Sequence, residues 1–210
     1  MGEDWIARWL EGRTGWHEAS GNALLKRYWP DLPKGSSVLV PLCGKSVDLL
    51  WLAGQGCAVT GVELSEVAAR GLFVDNNLEY TVTENGGLPC YRAIGLPLMV
   101  CCGDFLVWRA GPFDALFDRG ALVAMDPSDR PRYVDHVKSS LRPDAFCLII
   151  TLEYDQQRAP GPPWSVPGSE MLTYWPGLRR AFEHDDLANC PPKFRAAGLA
   201  EMLEVAWVSA

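Results

Sequence analysis

The alternation of apolar and polar positions early in the chain predicts a strand, a helix and a second strand. Residues 38–42 are almost all apolar, which is typical of a short strand buried on both faces. Apolar side chains then recur at helical spacing over residues 47–52, and Gly54 and Gly56 end that helix. A second apolar run, residues 58–62, completes a βαβ unit.

Similar patterns predict the remaining elements of an α/β fold. Further buried strands are predicted at residues 99–102, 113–117 and 145–152, helices at 65–76 and 130–141, an inserted hairpin over 80–94, and closing antiparallel strands at 178–183 and 199–208. A long loop, 154–176, is interrupted by a short helix near 169–174. Together these elements predict a doubly wound, Rossmann-like sheet of seven mostly parallel strands.

The N-terminal segment predicts a helical cover. Trp5, Ile6, Trp9 and Leu10 fall on one face of a helix that precedes the first strand. A helix in that position can act as a lid over a ligand. We therefore expect one domain, residues 1–210, in which residues 1–35 form the cover and 36–210 form the α/β core.

The turn after the first strand and the acid after the second predict a ligand site. Glu63 ends the second strand, and a carboxylate about 20 residues after the first turn suits a ribose diol. A dinucleotide site usually needs three glycines near the pyrophosphate, whereas this turn holds only Gly44. The single glycine favours S-adenosylmethionine, which carries no phosphate, although a βαβ unit with no ligand fits the same residues.

Composition and charge narrow the class of protein. The chain has 210 residues, 48% of them apolar, a net charge of −7 and a pI near 5.0, and its Lys and Arg residues form no basic stripe, so we expect no nucleic-acid partner. We also expect no membrane span, no signal peptide, a monomer and a cytoplasmic location. The seven cysteines lie mostly in apolar runs and lack metal-ligand spacing with the three histidines, so we expect packed thiols and no metal site.

Six motifs in a fixed order resemble the thiopurine S-methyltransferase family. They are Trp5-Ile-Ala-Arg-Trp9, Glu11-Gly-Arg-Thr-Gly-Trp-His17, Pro41-Leu-Cys-Gly-Lys45, Gly61-Val-Glu63, Gly103-Asp-Phe105 and Asp118-Arg-Gly-Ala-Leu122. The resemblance extends from about Trp5 to Trp207. It implies a class I methyltransferase fold, S-adenosyl-L-methionine as cofactor with S-adenosyl-L-homocysteine as product, and a thiopurine or aromatic thiol as acceptor. Bacterial members of the family are also linked to selenium and tellurium oxyanions.

The resemblance also assigns residues to the cofactor. Trp9, Leu42, Glu63 and Arg119 match the family's cofactor contacts. In this class of fold an acid after the third strand accepts from the adenine amine, which points to Asp104 and its neighbour Phe105; a simple turn or N-cap aspartate is the alternative for Asp104.

Four further residues are predicted to face the acceptor. The family can carry a basic substrate contact at the position of Lys193, while Trp16 and His17 lie in the cover and Trp164 in the long loop. The segment Ser20-Gly-Asn-Ala departs from the Val-Asn-Pro common in bacterial members, on the side of the presumed acceptor.

The predicted chemistry needs little acid–base assistance. A thiolate is a strong nucleophile, so the protein mainly aligns the reactants and excludes water. Arg119 follows the fourth strand and is predicted to be catalytic by stabilising an anionic acceptor, with a partner for Asp118 as its structural alternative. The leading hypothesis is a small-molecule thiol or thione S-methyltransferase. A non-catalytic S-adenosylmethionine-binding regulator on the same fold is the main alternative, and the missing glycines disfavour an NAD-dependent oxidoreductase.

Overall fold

A computed structural model of the chain describes residues 4–15 and 17–209. The helices are α1 Trp5–Leu10, α2 Ala23–Tyr28, α3 Asp48–Gly54, α4 Glu66–Asp75, α5 Arg130–Ser139, α6 Gly168–Tyr174 and α7 Pro192–Ala196, with a 3₁₀ turn at Leu122–Ala124. The strands are β1 Ser37–Pro41, β2 Ala58–Glu63, β3 Tyr80–Asn85, β4 Leu88–Ala93, β5 Leu98–Cys102, β6 Phe113–Arg119, β7 Leu141–Glu153, β8 Leu178–Asp185 and β9 Leu203–Ser209.

The strands form one sheet in the order β3-β4-β5-β2-β1-β6-β7-β9-β8. The five central strands, β5 to β7, are parallel, and two antiparallel strands flank them on each side. From β1 the chain moves outward through β2 to β5 and then returns to the other side of β1 to form β6 and β7. This doubly wound order confirms the predicted fold class, and it places a topological switch point between β1 and β6.

The described part of the sheet has nine strands where seven were predicted. The hairpin β3–β4 was predicted as a separate insertion, but β4 pairs with the edge strand β5 through Cys90, Tyr91 and Arg92. Pairing covers the open edge of β5, which would otherwise leave backbone N–H and C=O groups unpaired. The hairpin therefore extends the seven-stranded core by two strands.

The sheet is buried on both faces. Val38 and Val40 of β1 belong to one hydrophobic cluster and Leu39 between them belongs to the other. Leu148 and Ile149 of β7 divide between the faces in the same way. Because successive side chains of a strand point to opposite faces, the continuous apolar runs of the sequence are what a strand covered on both sides requires.

The N-terminal cover is fixed to the core through Asn22. The Asn22 side-chain oxygen accepts from the backbone N–H groups of Leu24 and Leu25, at 2.9 and 3.1 Å, and so caps α2. The backbone N–H of Asn22 donates to Oδ1 of the buried Asp48 at 2.7 Å. The segment that departs from the family pattern thus ties α2 to the start of α3.

The long loop after β7 is anchored from several sides. Tyr154 Oη donates to the carbonyl of Pro163 at 2.6 Å, and Lys193 Nζ of α7 donates to the carbonyl of Pro162 at 2.6 Å. The buried Arg130 guanidinium of α5 donates to the Ser165 carbonyl at 2.8 Å. These bonds hold residues 160–165 against the carboxyl edge of the sheet.

Two cysteines form a disulfide, so the expectation that the cysteines are packed thiols is wrong for this pair. Cys90 of β4 lies opposite Cys101 of β5 in the antiparallel register, and the two sulfurs are bonded. The pairing arises only because β4 joins the sheet. The other five cysteines are free thiols, four of them buried, and Cys102 packs on the opposite face from Cys101, as strand geometry requires.

Candidate active site

A cavity of about 310 Å³ opens at the carboxyl edge of the central strands. Residues from the cover, from the ends of β1, β2, β5, β6 and β7, from the start of β9 and from the long loop contribute to its walls. The walls include Trp9, His17, Glu18, Leu42, Gly44, Lys45, Glu63, Asp104, Phe105, Arg119, Met125, Leu152, Pro162, Pro163 and Glu204. The location is the crevice where doubly wound folds bind ligands, and the volume falls in the range of small-molecule sites.

The turn after β1 is held in an unusual backbone conformation. Leu42 has φ 46° and Gly44 has φ 54°, both in the left-handed region that a side chain disfavours. A Cβ at Gly44 would lie only 2.9 Å from a ring carbon of Trp9, so the glycine also lets the buried Trp9 pack directly on the turn.

Glu63 closes the same turn. Its two carboxylate oxygens accept from the backbone N–H groups of Gly44 and Ser65, each at 2.8 Å. Only 5% of the residue is exposed, and this burial raises the pKa of the Glu63 carboxyl, although the two backbone donors act in the opposite direction. Each oxygen has lone pairs beyond the one used by the backbone, so the carboxylate remains able to accept from a diol.

Asp104 and Phe105 follow β5 at one end of the cavity. Asp104 is exposed, and its Oδ1 accepts from the backbone N–H of Leu106 at 2.8 Å. This bond is typical of a turn aspartate, the alternative to a contact with adenine. Phe105 is 3% exposed and packs edge-on against His136, with ring centroids 4.7 Å apart. The pair therefore supplies one polar and one flat apolar surface to the cavity wall.

Arg119 ends β6 and forms an ion pair with Glu18 of the cover. Its neighbour Asp118 is fully buried and has other partners: Tyr133 Oη donates to it at 2.7 Å and the Leu122 N–H at 3.1 Å. Burial raises the pKa of Asp118 to about 6, against those two donors. Asp118 thus shapes the turn after β6, while the Arg119 side chain reaches the cavity and links it to the cover.

His17 joins the cavity wall beside two cations. Partial burial lowers the pKa of His17, and the nearby charges of Lys45 and Arg119 lower it further. Lys45 itself pairs with Asp75 on α4 at 2.6 Å. His17 is therefore neutral at physiological pH, and its imidazole can accept as well as donate a hydrogen bond.

The structure brings together seven of the ten predicted site residues and places two others outside the cavity wall. Trp9, His17, Leu42, Glu63, Asp104, Phe105 and Arg119 all line the cavity. Trp164 and Lys193 are not among its walls: the Trp164 ring packs against Gly161, and Lys193 holds the carbonyls of Pro160 and Pro162. Trp16 lies outside the described residues.

Several wall residues were missed by sequence analysis. Glu18 directly follows the motif that ends at His17, and its acidic side chain next to that motif was the available signal. The Pro162–Pro163 pair lies in the long loop beside Trp164, and the length of that loop was its signal. Glu204 and Met125 had none, because they come from a strand start and a turn whose positions depend on the folded sheet.

The residues present fit a nucleoside with a cationic sulfur better than a dinucleotide. A pyrophosphate site needs free backbone N–H groups at the first turn, but the Gly44 N–H is already donated to Glu63. Glu63 and Asp104 place carboxylates at one end of the cavity, where hydroxyl and amine donors of an adenosine can be held. Within residues 4–15 and 17–209 no group of three or more His, Cys, Asp or Glu is arranged to hold a metal ion.

Comparisons with known proteins point to one family. Residues 1–209 match the profile of thiopurine S-methyltransferase (TPMT). A protein of Bordetella petrii named thiopurine S-methyltransferase is 42% identical over 207 residues, which cover 95% of this chain and 94% of that protein. One of the same name from Pseudomonas fluorescens is 41% identical over 209 residues, covering 96% and 95%.

Solved structures share the fold at low identity. The 1,6-didemethyltoxoflavin-N1-methyltransferase of Burkholderia thailandensis, with 1,6-didemethyltoxoflavin and S-adenosylhomocysteine bound, has a TM-score of 0.65 at 19% identity and covers 99% of this chain and 86% of its own. A TehB-like S-adenosylmethionine-dependent methyltransferase of Corynebacterium glutamicum has a TM-score of 0.57 at 16% identity, with coverage of 99% and 97%. In the described part of the chain, no helix has both the length and the apolar character to cross a membrane. With the family profile matched from end to end and relatives near 40% identity, this chain belongs to the thiopurine S-methyltransferase family.

Proposed function

We propose that this chain transfers the methyl group of S-adenosyl-L-methionine to the sulfur of a small aromatic or heterocyclic thiol or thione, as a thiopurine S-methyltransferase. Family membership supports methyl transfer from this cofactor, and the name shared by the bacterial relatives supports a sulfur acceptor. The observation that carries the proposal is one continuous cavity with carboxylates for a nucleoside at one end and Arg119, under the N-terminal cover, at the other.

The cofactor end is assigned to four side chains and one turn. Glu63 accepts from the ribose hydroxyls, Asp104 accepts from the adenine amine, and Phe105 packs on the base. Leu42 and Trp9 enclose the middle of the cavity, because the Trp9 ring lies against the turn at Gly44. When bound, the cofactor supplies a methyl group on a cationic sulfur that is a good leaving group.

The acceptor end has apolar walls. Met125, Leu152 and the Pro162–Pro163 pair offer a surface for a planar ring and exclude water from the reacting sulfur. Arg119 and His17 contribute polar contacts that fix the direction of the acceptor. Alignment in a dry site accounts for most of the rate enhancement that such a transfer needs.

Lys193 and Trp164 do not line the acceptor end of the cavity, but both form hydrogen bonds that hold its loop in place. Lys193 Nζ donates to the Pro162 carbonyl at 2.6 Å, so it positions the loop that lines the cavity. The backbone N–H of Trp164 donates to the Val123 carbonyl at 2.7 Å and joins the same loop to the turn after β6. We assign both residues to the placement of the acceptor wall, and Trp16 to the cover by its position in the sequence.

A turnover assay with labelled S-adenosyl-L-methionine tests the function. The purified chain is incubated with a thiopurine, a simple aromatic thiol, selenite and tellurite in separate reactions, with Glu63→Ala as a control whose cofactor binding is weakened. We expect methylated sulfur products from the wild type, and lower turnover of the control when the cofactor concentration is limiting. Cofactor binding without turnover of any acceptor would instead favour a regulatory protein, and turnover of the oxyanions alone would refute the sulfur assignment.

A further inference from the structure

Two carboxylates lie near Arg119 at the acceptor end of the cavity. Glu18 of the cover forms an ion pair with Arg119, and Glu204 of β9 lines the same end. Lys45 is directed to Asp75 on α4 and so does not offset the second carboxylate. Arg119 therefore lies near two carboxylates, and its charge is already shared with Glu18.

Glu204 is positioned by the sheet. It lies opposite Leu152 in the β7–β9 register, at the edge where β7 ends and the cavity begins. In the part of the chain that the structure describes, its carboxylate has no hydrogen-bond or ion-pair partner within bonding distance. A half-buried, unpartnered carboxylate in the wall of a ligand cavity is a candidate for contact with that ligand.

The charged groups around Glu204 come from the cover, from β6, from β8 and from the turn after β8. Burial raises the pKa of the Glu204 carboxyl first, Glu18 of the cover and Asp186 after β8 raise it further, and Arg119 of β6 and His184 of β8 act in the opposite direction. A carboxylate whose proton affinity is increased in this way is a better base near neutral pH than an exposed glutamate.

We propose that Glu204 accepts the proton that an uncharged thione or thiol acceptor loses when its sulfur is methylated. This role rests on the proposed function. A heterocyclic thione carries its proton on a ring nitrogen, and that proton must leave once the sulfur bears a methyl group. The sulfur lone pair forms the new S–C bond, the bond between methyl and the donor sulfur breaks with its electron pair on the donor, and the N–H proton passes to a Glu204 oxygen.

The same charges define the class of acceptor. Two carboxylates repel a selenium or tellurium oxyanion, and the Glu18 ion pair competes with any anion for Arg119. A neutral ring with an N–H or S–H donor is not repelled by the two carboxylates. It can also donate a hydrogen bond to Glu204. The site therefore takes uncharged sulfur heterocycles in preference to anions.

Glu204→Gln tests the role, because it keeps the shape of the side chain and removes its basicity. Glu201→Gln is the matched control, since Glu201 is exposed and outside the cavity wall. Each variant is assayed with a thione that is uncharged at pH 7 and with an aromatic thiol already ionised at that pH, and S-adenosylhomocysteine binding is measured to confirm that the site is intact.

For the uncharged thione we expect Glu204→Gln to lower kcat about a hundredfold, within the usual contribution of a general base. For the ionised thiol, which has no proton to lose, the change should stay within about threefold, as for Glu201→Gln with both acceptors. Glu204→Asp should recover part of the lost rate. With the thione, the kcat of the wild type should fall at acid pH because Glu204 becomes protonated. The kcat of Glu204→Gln should not show this fall.

Equal losses with both acceptors, or an unchanged pH profile in Glu204→Gln, would overturn the role of Glu204 while leaving sulfur methylation in place. Faster wild-type turnover of tellurite than of the thione would overturn the preference for uncharged acceptors. Failure of the wild-type chain to methylate either sulfur acceptor would overturn the proposed function itself.

Discussion

Replacing Glu63 by alanine should weaken cofactor binding without unfolding the chain. In the folded protein the carboxylate is fixed by the N–H groups of Gly44 and Ser65 at 2.8 Å, so it meets a ribose diol already oriented. A hydrogen bond to a charged group contributes roughly 1.5–3 kcal/mol, and about 1.4 kcal/mol corresponds to a factor of ten in affinity. We therefore expect the Kd for S-adenosylhomocysteine to rise about ten- to a hundredfold.

The fold should survive because the buried carboxylate contributes little to stability at neutral pH. Burial raises the pKa of Glu63 above its usual value, so its stabilising contribution is present at low pH and is lost as the pH rises through the raised pKa. Alanine also opens space in which water can reach the two freed N–H groups.

Isothermal titration calorimetry with S-adenosylhomocysteine measures this directly, with Glu79→Ala, an exposed acid remote from the cavity, as the control. The wild-type affinity should also decrease toward acid pH as Glu63 takes up a proton, and the affinity of Glu63→Ala should not follow that trend. An affinity within twofold of wild type at pH 7.5 would refute the assignment of Glu63 to the ribose.

Three further predictions concern the cover, the loop and the turn after β6. Trypsin cleavage after the exposed Arg13 should slow when S-adenosylhomocysteine is added, while cleavage after the exposed Lys34 stays constant. Equal cleavage rates at Arg13 with and without S-adenosylhomocysteine would show that the cover has only a structural role. Lys193→Met should raise the KM for the acceptor roughly five- to tenfold for neutral and charged acceptors alike, because the variant releases the Pro162 carbonyl. The affinity for the cofactor should stay unchanged. A rise in KM confined to anionic acceptors would instead indicate that Lys193 contacts the acceptor directly. Asp118→Asn should flatten the decline in melting temperature between pH 5 and 7.5. The pKa of Asp118 in the folded protein is about 6, above the usual value of 3.8, so the stabilisation by this carboxyl is lost as the pH rises through 6. Parallel curves of melting temperature against pH for the wild type and the variant would contradict this prediction.

The central fold could be predicted from the sequence because its strands are covered on both faces. Continuous apolar runs and glycine-ended helices identify β1, α3 and β2 without knowledge of their neighbours. The hairpin β3–β4 was also predicted, but its pairing with β5 was not, since pairing across a sheet edge depends on backbone groups that every residue carries. The Cys90–Cys101 disulfide was missed for the same reason.

The candidate site likewise contains residues that could be predicted from the sequence and residues that could not. Glu63 and Arg119 end strands of the parallel sheet and Asp104 follows another, so topology alone brings them to one edge. Glu18 and Glu204 reach that edge through a cover loop and an antiparallel strand, whose placement depends on tertiary contacts. β9 was predicted from residue 199 but begins at Leu203, because residues 192–198 form α7 and the turn that follows it.

The position of the transferred methyl group tests the account most directly. The chain is incubated with S-adenosyl-L-methionine carrying a ¹³C-labelled methyl group and with a heterocyclic thione that offers both a sulfur and a ring nitrogen, and the product is analysed by ¹³C NMR. Our account predicts a single labelled carbon bonded to sulfur. A labelled carbon bonded to nitrogen, or no labelled product while the cofactor binds, would contradict it.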